Sequence, residues 1–343
     1  MIVCRRCGRH PAARQIGLCA DCIRETGDPD GMAALHVPIR AAYRLPVRPP
    51  ETPGGAVCRL CANRCAAGEG ERGYCGVRIC RGGVMQPVAP RRHGLAYAYP
   101  DPLPTNCCAA WFCQGSRKEG CNLAVFFYGC NFDCLFCQNA SHKRVDAAPV
   151  LGEDGLVARA LDPAVRCICF FGGSPEPQLP FALRVGNQIL AGSGGEKHIC
   201  WEWNGAGHQK LVEKAAALSM ASGGVVKFDL KAFDPCLHRA LCGVDNVRVL
   251  ENFARVAALA GERDVLTATT LLVPGYVDAV EVEAIARFIA GCSPDIPYSL
   301  LAFHPDFALS DLPPTPMRQA LDCLRAARRH LDRVHLGNVH LLA

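Results

Sequence analysis

Beyond Asn122 the chain alternates short apolar runs with amphipathic stretches. The runs cover 123–128, 167–171, 198–203, 225–230, 265–273, 298–303 and 334–339, each short enough for a strand and flanked by Gly, Pro or Asn. Between them, 209–219, 247–260, 279–290 and 316–331 carry apolar residues at the three- and four-residue spacing of a helix face. Strand followed by helix, repeated at intervals of roughly thirty residues, predicts parallel βα units. The fold class expected is α/β, a partial (β/α)6 TIM-like barrel whose chemistry belongs where strands end and loops begin.

The first 120 residues lack this rhythm and are organised by cysteine. Of 23 cysteines, 16 lie at or before Cys137. Cys4-x-x-Cys7 and Cys19-x-x-Cys22 form two knuckles able to close a tetrahedron around one ion, so 1–45 reads as a zinc-ribbon-like module. Spacing alone leaves an iron–sulfur cluster or a nucleic-acid-binding knuckle open. A linker with four prolines spans 46–53, and a second set follows at Cys58, Cys61, Cys65 and Cys75. Glycines Gly73 and Gly76 beside it let backbone amides approach sulfur. Cys107, Cys108, Cys113 and Cys121 make a third group, a candidate auxiliary cluster without a recognisable spacing, whereas Cys167 and Cys169 read as core. The units expected are 1–45, 46–120 and 121–343.

Half the residues are hydrophobic and a fifth charged, which supplies a sizeable core. The net charge of +5 is too small to indicate a nucleic-acid partner. No apolar stretch approaches the ~20 residues of a spanning helix, and Met1-Ile2-Val3 runs directly into Cys4. Abundant thiols without a leader point to metal in a reducing, cytoplasmic setting.

The most informative segment follows the first barrel strand. Cys130, Cys134 and Cys137 can cap three corners of one cubane and leave one iron with an open position. Phe136 offers an aromatic face beside it. With its flanks Phe127-Tyr-Gly-Cys130-Asn and Cys137-Gln-Asn, the motif resembles the radical S-adenosylmethionine superfamily, in the branch of pyruvate formate-lyase activating enzyme and its uncharacterised relatives. Cys58-Arg-Leu-Cys61 with Gly70-Glu-Arg-Gly-Tyr-Cys75-Gly resembles the N-terminal segment of those relatives, which glycyl-radical activases generally lack.

The resemblance implies a [4Fe-4S] cluster and S-adenosylmethionine chelated at the open iron, with reductive cleavage to methionine and a 5′-deoxyadenosyl radical that abstracts a hydrogen atom. It also implies reduced flavodoxin or ferredoxin as electron donor and a protein or peptide as substrate. Gly172 to Pro177 resembles the family's Gly-Gly-Glu-Pro segment, with Gly172 and Gly173 approaching the methionyl amine and Glu176 accepting from it. Glu202 and Asn204, alternating at the end of the third strand, and Asp229 and Lys231, at the end of the fourth, are placed near the cosubstrate, Lys231 facing its carboxylate. His304 resembles the position reaching the adenosyl group. Two alternatives are a radical enzyme acting on a small metabolite or RNA with an auxiliary cluster, and a zinc-ribbon nucleic-acid-binding module; the intact three-cysteine loop argues against the second.

Overall fold

The computed structural model describes residues 1–343. The apolar runs become the parallel heart of a nine-stranded sheet: β1 (His93–Pro102), β2 (Cys121–Phe127), β3 (Val150–Gly152), β4 (Val165–Gly172), β5 (His198–Trp203), β6 (Val226–Asp229), β7 (Leu266–Leu272), β8 (Tyr298–Ala302) and β9 (Val334–Gly337). Its order is β9-β8-β7-β6-β5-β4-β2-β1-β3. From β2 to β9 every pair is parallel, and β1 adds antiparallel to β2 and to β3. The two ends of this order do not pair with each other, so the sheet does not close, which is consistent with a partial barrel.

Alternation along each strand sorts side chains to two faces. Outward, Phe127, Phe170, Trp201, Trp203 and Phe228 form a continuous aromatic row under the helices, with ring centroids 4.7 Å apart for Phe170 and Trp201 and 5.5 Å for Trp203 and Phe228. Inward, Cys169, Cys200, Glu202, Lys227 and Thr269 face the barrel interior. Burying such large rings dominates the stabilisation, and the polar inner face is what the fold leaves for chemistry.

The outer layer comprises α4 (Glu153–Ala160), α5 (Leu179–Gly192), α6 (Gln209–Ser222), α7 (Pro235–Cys242), α8 (Val247–Ala260), α9 (Ala279–Cys292) and α10 (Met317–Arg328). Local signals set several ends. Asp234 accepts from Leu237 N ahead of Pro235 in α7, Asp278 accepts from Glu281 N at the start of α9, and Gly223 closes α6 in the left-handed region. Helix α5 was not among the expected stretches: Pro180 in its first turn and glycines at 186 and 192 break an otherwise apolar sequence, and its periodicity is masked because several of its faces are buried. No helix is long and apolar enough to cross a membrane.

The N-terminal annex contains a hairpin of Ile2–Val3 with Pro11–Ala12, then α1 (Ala20–Thr26), α2 (Pro29–Ala34) and α3 (Val37–Ala42). It docks on the barrel: Ala13 N donates to Tyr276 Oη at 2.8 Å, Tyr276 Oη donates to Leu18 O, and Arg24 bridges Asp278 and Glu281. The second cysteine segment reaches the same end of the sheet, where Ala62 N donates to Ala206 O and His208 N to Leu60 O. Residues 93–102, grouped with the annex on sequence grounds, belong to the barrel sheet: 96–102 pair with β2 and 93–95 with β3.

Candidate functional site

The loop that leaves β2 is held in a single course by close packing. Gly129 takes φ +79°, and a Cβ there would lie 2.8 Å from Cys75 O, so the loop lies directly against the second cysteine segment. Asp133 N donates to Cys242 O and Leu135 N to Leu241 O, both at 2.9 Å, which ties the loop to the end of α7. Cys130 Sγ accepts from Phe132 N at 3.3 Å and from Asn204 Nδ2 at 3.7 Å. Cys134 Sγ lies 3.6 Å from Cys242 Sγ.

Behind the loop sits a buried charge cluster that the sequence did not announce. The Asp133 carboxylate accepts from His36 Nδ1 at 3.0 Å and Arg40 Nη1 at 3.2 Å and pairs with Lys143 Nζ. Burial pushes its pKa up, but the His36 hydrogen bond and the charges of Lys143 and Arg40 outweigh this and hold it far below the ordinary carboxylate range. His36 and Arg40 come from the annex, so this one carboxylate joins the annex to the three-cysteine loop.

Cys130, Cys134 and Cys137 open onto a cleft at the carboxyl ends of the strands. Its wall brings together Phe136, Gly172, Gly173, Glu202, Asn204, Asp229 and Lys231 from four strand ends and loops. Lys231 Nζ donates to Asp229 Oδ2 at 2.6 Å and lies 5.6 Å from the Phe136 ring centroid. Burial opposes the Lys231 charge, yet Asp229 and the nearby thiols raise its pKa above the usual lysine value. Asn204 Nδ2 donates to Asn131 Oδ1 at 2.8 Å and Ser174 Oγ at 3.0 Å, which fixes its amide beside Cys130. Gly172 has φ +114°, and a Cβ on it would sit 2.6 Å from Phe127 N. A Cβ on Gly173 would run into Gly129 O and lie 2.8 Å from the His142 ring, so backbone and cleft meet here only because neither residue has a side chain.

His142 Nδ1 and Thr269 Oγ1, on residues that line the cleft, have no protein partner, and neither has Trp203 Nε1 in the outward aromatic row. Buried polar groups are almost always paired, so the cleft is finished for a polar ligand. Burial, reinforced by Lys143, lowers His142 to about 3, leaving a neutral ring. Asn139, His142, Trp203 and Thr269 were not among the expected residues; no spacing connects them, because they come from three separate segments.

Two expected residues stand elsewhere. Glu176 is fully buried beneath the cleft wall, where it accepts from Gly205 N at 2.7 Å and from Ser174 Oγ; burial raises its pKa to about 7 despite those bonds. It braces the wall instead of lining it. His304 has a side chain 54% exposed and turned toward Asp306 at 3.3 Å, and it does not line the cleft.

The annex cysteines divide by spacing. Cys4, Cys7, Cys19 and Cys22 bring their sulfurs all within 4.8 Å of one another, Cys7 and Cys19 lying 3.9 Å apart, and Cys19 N donates to Cys4 Sγ at 3.3 Å. Four sulfurs on one ion at ~2.3 Å stand about 3.8 Å apart, so this set fits a single tetrahedral metal. Cys58, Cys61, Cys65 and Cys75 are neighbours but more open, with Tyr74 N donating to Cys65 Sγ at 3.3 Å. The group expected at Cys107, Cys108, Cys113 and Cys121 does not form as such: Cys107 and Cys113 face the barrel interior, while Cys121 Sγ points to Ala164 O.

The same sequence features occur in known proteins. The Radical SAM superfamily model matches residues 124–289. An uncharacterized protein of Methanocaldococcus jannaschii is 26% identical over 289 residues, covering 82% of this chain and 81% of that protein. The isethionate sulfite-lyase activating enzyme of Oleidesulfovibrio alaskensis is 30% identical over 138 residues, 40% of this chain and 41% of that enzyme. Among solved structures, a domain of the pyruvate-formate lyase-activating enzyme from Bacteroides vulgatus covers 50% of this chain and 98% of its own at 21% identity and a TM-score of 0.41. Three thiols at one cleft, backbone and amide donors on Cys130 Sγ and unpaired polar atoms on the wall suit an iron–sulfur cluster with a polar cosubstrate. The chain therefore carries a domain of the radical SAM superfamily over residues 124–289, and such a domain uses a [4Fe-4S] cluster and S-adenosylmethionine.

Proposed function

We propose that this chain holds the cluster through Cys130, Cys134 and Cys137, binds S-adenosylmethionine in the adjoining cleft and abstracts a hydrogen atom from a side chain of a protein or peptide. The carrying observation is the convergence of the three thiols, the Asp229–Lys231 pair and the unpaired polar atoms of His142 and Thr269 on one cleft. When bound, the cluster supplies one electron to the sulfonium, which splits into methionine and a 5′-deoxyadenosyl radical.

The residues of this chain have separable tasks. Lys231, oriented by Asp229, meets the cosubstrate carboxylate, while Gly172 and Gly173 let backbone reach its amine. Phe136 offers its face to the adenine, and His142 and Thr269 supply the polar contacts that protein atoms leave vacant. Asn204 donates to Cys130 Sγ, and Glu176 holds Ser174 and Gly205 in place below. Reduced flavodoxin or ferredoxin is the electron donor in this reading. In this reading Cys4, Cys7, Cys19 and Cys22 would hold zinc, and Cys58, Cys61, Cys65 and Cys75 would hold zinc or an auxiliary iron–sulfur cluster.

A macromolecular substrate is favoured by the unclosed sheet, whose strand β1, second from the edge, presents Tyr97 and Tyr99 stacked 5.9 Å apart and partly exposed. The naming of several relatives as activating enzymes agrees with it. Anaerobically reconstituted protein with dithionite and S-adenosylmethionine should form 5′-deoxyadenosine, and Cys134→Ala should not; equal product from both refutes the cluster reading. With extract from cells grown on deuterated medium, deuterium in the 5′-deoxyadenosine should track the macromolecular fraction. Label that tracks the small-molecule fraction overturns the protein substrate.

A further inference from the structure

Phe171 and Glu202 form the lower wall of the cleft, and beneath them the barrel holds a second cavity, open at its mouth. Five cysteines line it: Cys107, Cys113, Cys167, Cys169 and Cys200. Three come from paired strands. Cys169 sits opposite Cys200 across β4 and β5, and Cys167 is two residues earlier on the same inward face. The other two come from the segment between β1 and β2, which covers the open bottom of the barrel: Ser299 Oγ donates to Cys108 O and Trp111 Nε1 donates to Ser299 Oγ.

Buried free cysteines ordinarily behave as small hydrophobes in a close-packed core. Here the sulfurs surround a void instead of filling it. A buried lysine is directed at them: Lys227 Nζ lies 3.3 Å from Cys107 Sγ, 3.2 Å from Cys169 Sγ and 3.0 Å from Glu202 Oε2. An ammonium has three donors and no acceptor, and here two of its three partners are sulfur, which accepts weakly as a thiol and well as a thiolate. Glu202 already balances the lysine charge, so thiolates in this cavity call for a further cation. A single ion does not match the spacing, because only the Cys4 set has its ligand atoms all within 4.8 Å. A polynuclear cluster spreads its thiolates more widely, as at Cys130, Cys134 and Cys137, which likewise lie outside that limit.

We propose that this cavity is a second iron–sulfur site inside the barrel, ligated by Cys107, Cys169 and Cys200, completed by Cys167 or Cys113, with Lys227 donating to the bound thiolates. The site is independent of the reading given for the cleft above it.

The test starts from C130A/C134A/C137A, so that failure of the upper cluster reading leaves it intact. That variant and the same chain with C107S/C169S/C200S added are reconstituted anaerobically with ferrous iron and sulfide. All annex cysteines are present in both. Iron, sulfide and the Mössbauer quadrupole doublets are then compared. The added substitutions should remove about four irons and four sulfides per chain, or two of each for a rhombic cluster. Unchanged iron and sulfide would overturn the proposal. If the strand substitutions prevent folding, judged by circular dichroism, C107S/C113S on the covering segment replaces them, with the same two outcomes deciding.

Discussion

Replacing Asp133 with asparagine keeps the shape of the side chain and removes its charge from a cluster where His36, Arg40 and Lys143 converge on it. Arg40, Lys143 and Asp133 are each about 1% exposed, so water cannot take over. Arg40 has other partners: it donates to Pro46 O at 2.6 Å and to Tyr74 O, and its guanidinium lies 3.4 Å from the Tyr74 ring centroid. Lys143 has fewer, the face of Phe307 at 5.5 Å being its other neighbour of note. Removing one partner of a buried ion pair costs about 3–5 kcal/mol, because the remaining charge stays desolvated. Asp133→Asn should therefore lower the apparent unfolding midpoint by roughly 10 °C. It should also release the annex, read as faster proteolysis after residue 42. Adding Arg40→Met and Lys143→Met should recover most of the loss. The sign with pH follows from the depressed carboxylate: its stabilisation is present above the unfolded value of ~3.9 and disappears as pH falls through the folded value. The difference between wild type and Asp133→Asn should accordingly stay constant from about pH 5 upward and shrink in acid. A loss below about 1 kcal/mol at neutral pH would show that the cluster does not join annex and barrel.

Lys231→Ala should weaken S-adenosylmethionine binding by about ten- to a hundredfold, the worth of one charge-assisted hydrogen bond, with iron content unchanged; loss of iron would make Lys231 structural instead. Gly173→Ala puts a Cβ into Gly129 O and the His142 ring, so it should disturb the three-cysteine loop and lower iron occupancy after reconstitution, and a fully loaded variant would contradict that packing. Glu176 has its pKa raised to about 7, so its contribution is complete below the unfolded value of ~4.3 and is lost as pH rises through 7. Wild type should lose on the order of 3 kcal/mol across that window relative to Glu176→Gln, followed by denaturant midpoints at successive pH values.

Much of the site could be read from local order. The three-cysteine loop follows the strand expected to precede it, and β5 and β6 deliver Glu202, Asn204, Asp229 and Lys231 to one cleft because alternate residues share a face and the strand ends mark where the face stops. The same rule cannot say which partner a side chain meets. His304 sits at a strand end like Lys231, yet it turns to Asp306, and Glu176 folds under Ser174 once its short turn is packed against Gly205. β1 reads as an irregular stretch because Pro100 and Pro102 interrupt it; it survives as a strand because it lies beyond the parallel strands, where a missing ladder donor is tolerated.

The amino-acid sequence by itself determined the βα rhythm, the polarity of each strand face and the offer of three thiolates with one corner free. These are properties of neighbours a few residues apart, and backbone geometry converts them directly into faces and loops. Only the tertiary structure decided that His36 and Arg40 would reach Asp133, and that Cys107 would meet Cys169, Cys200 and Lys227 around a void. Those meetings join residues from 58 to 120 positions apart. They depend on how the sheet curves and on what covers its open end, and no local pattern encodes that, because sheet curvature is settled by the packing of the whole core.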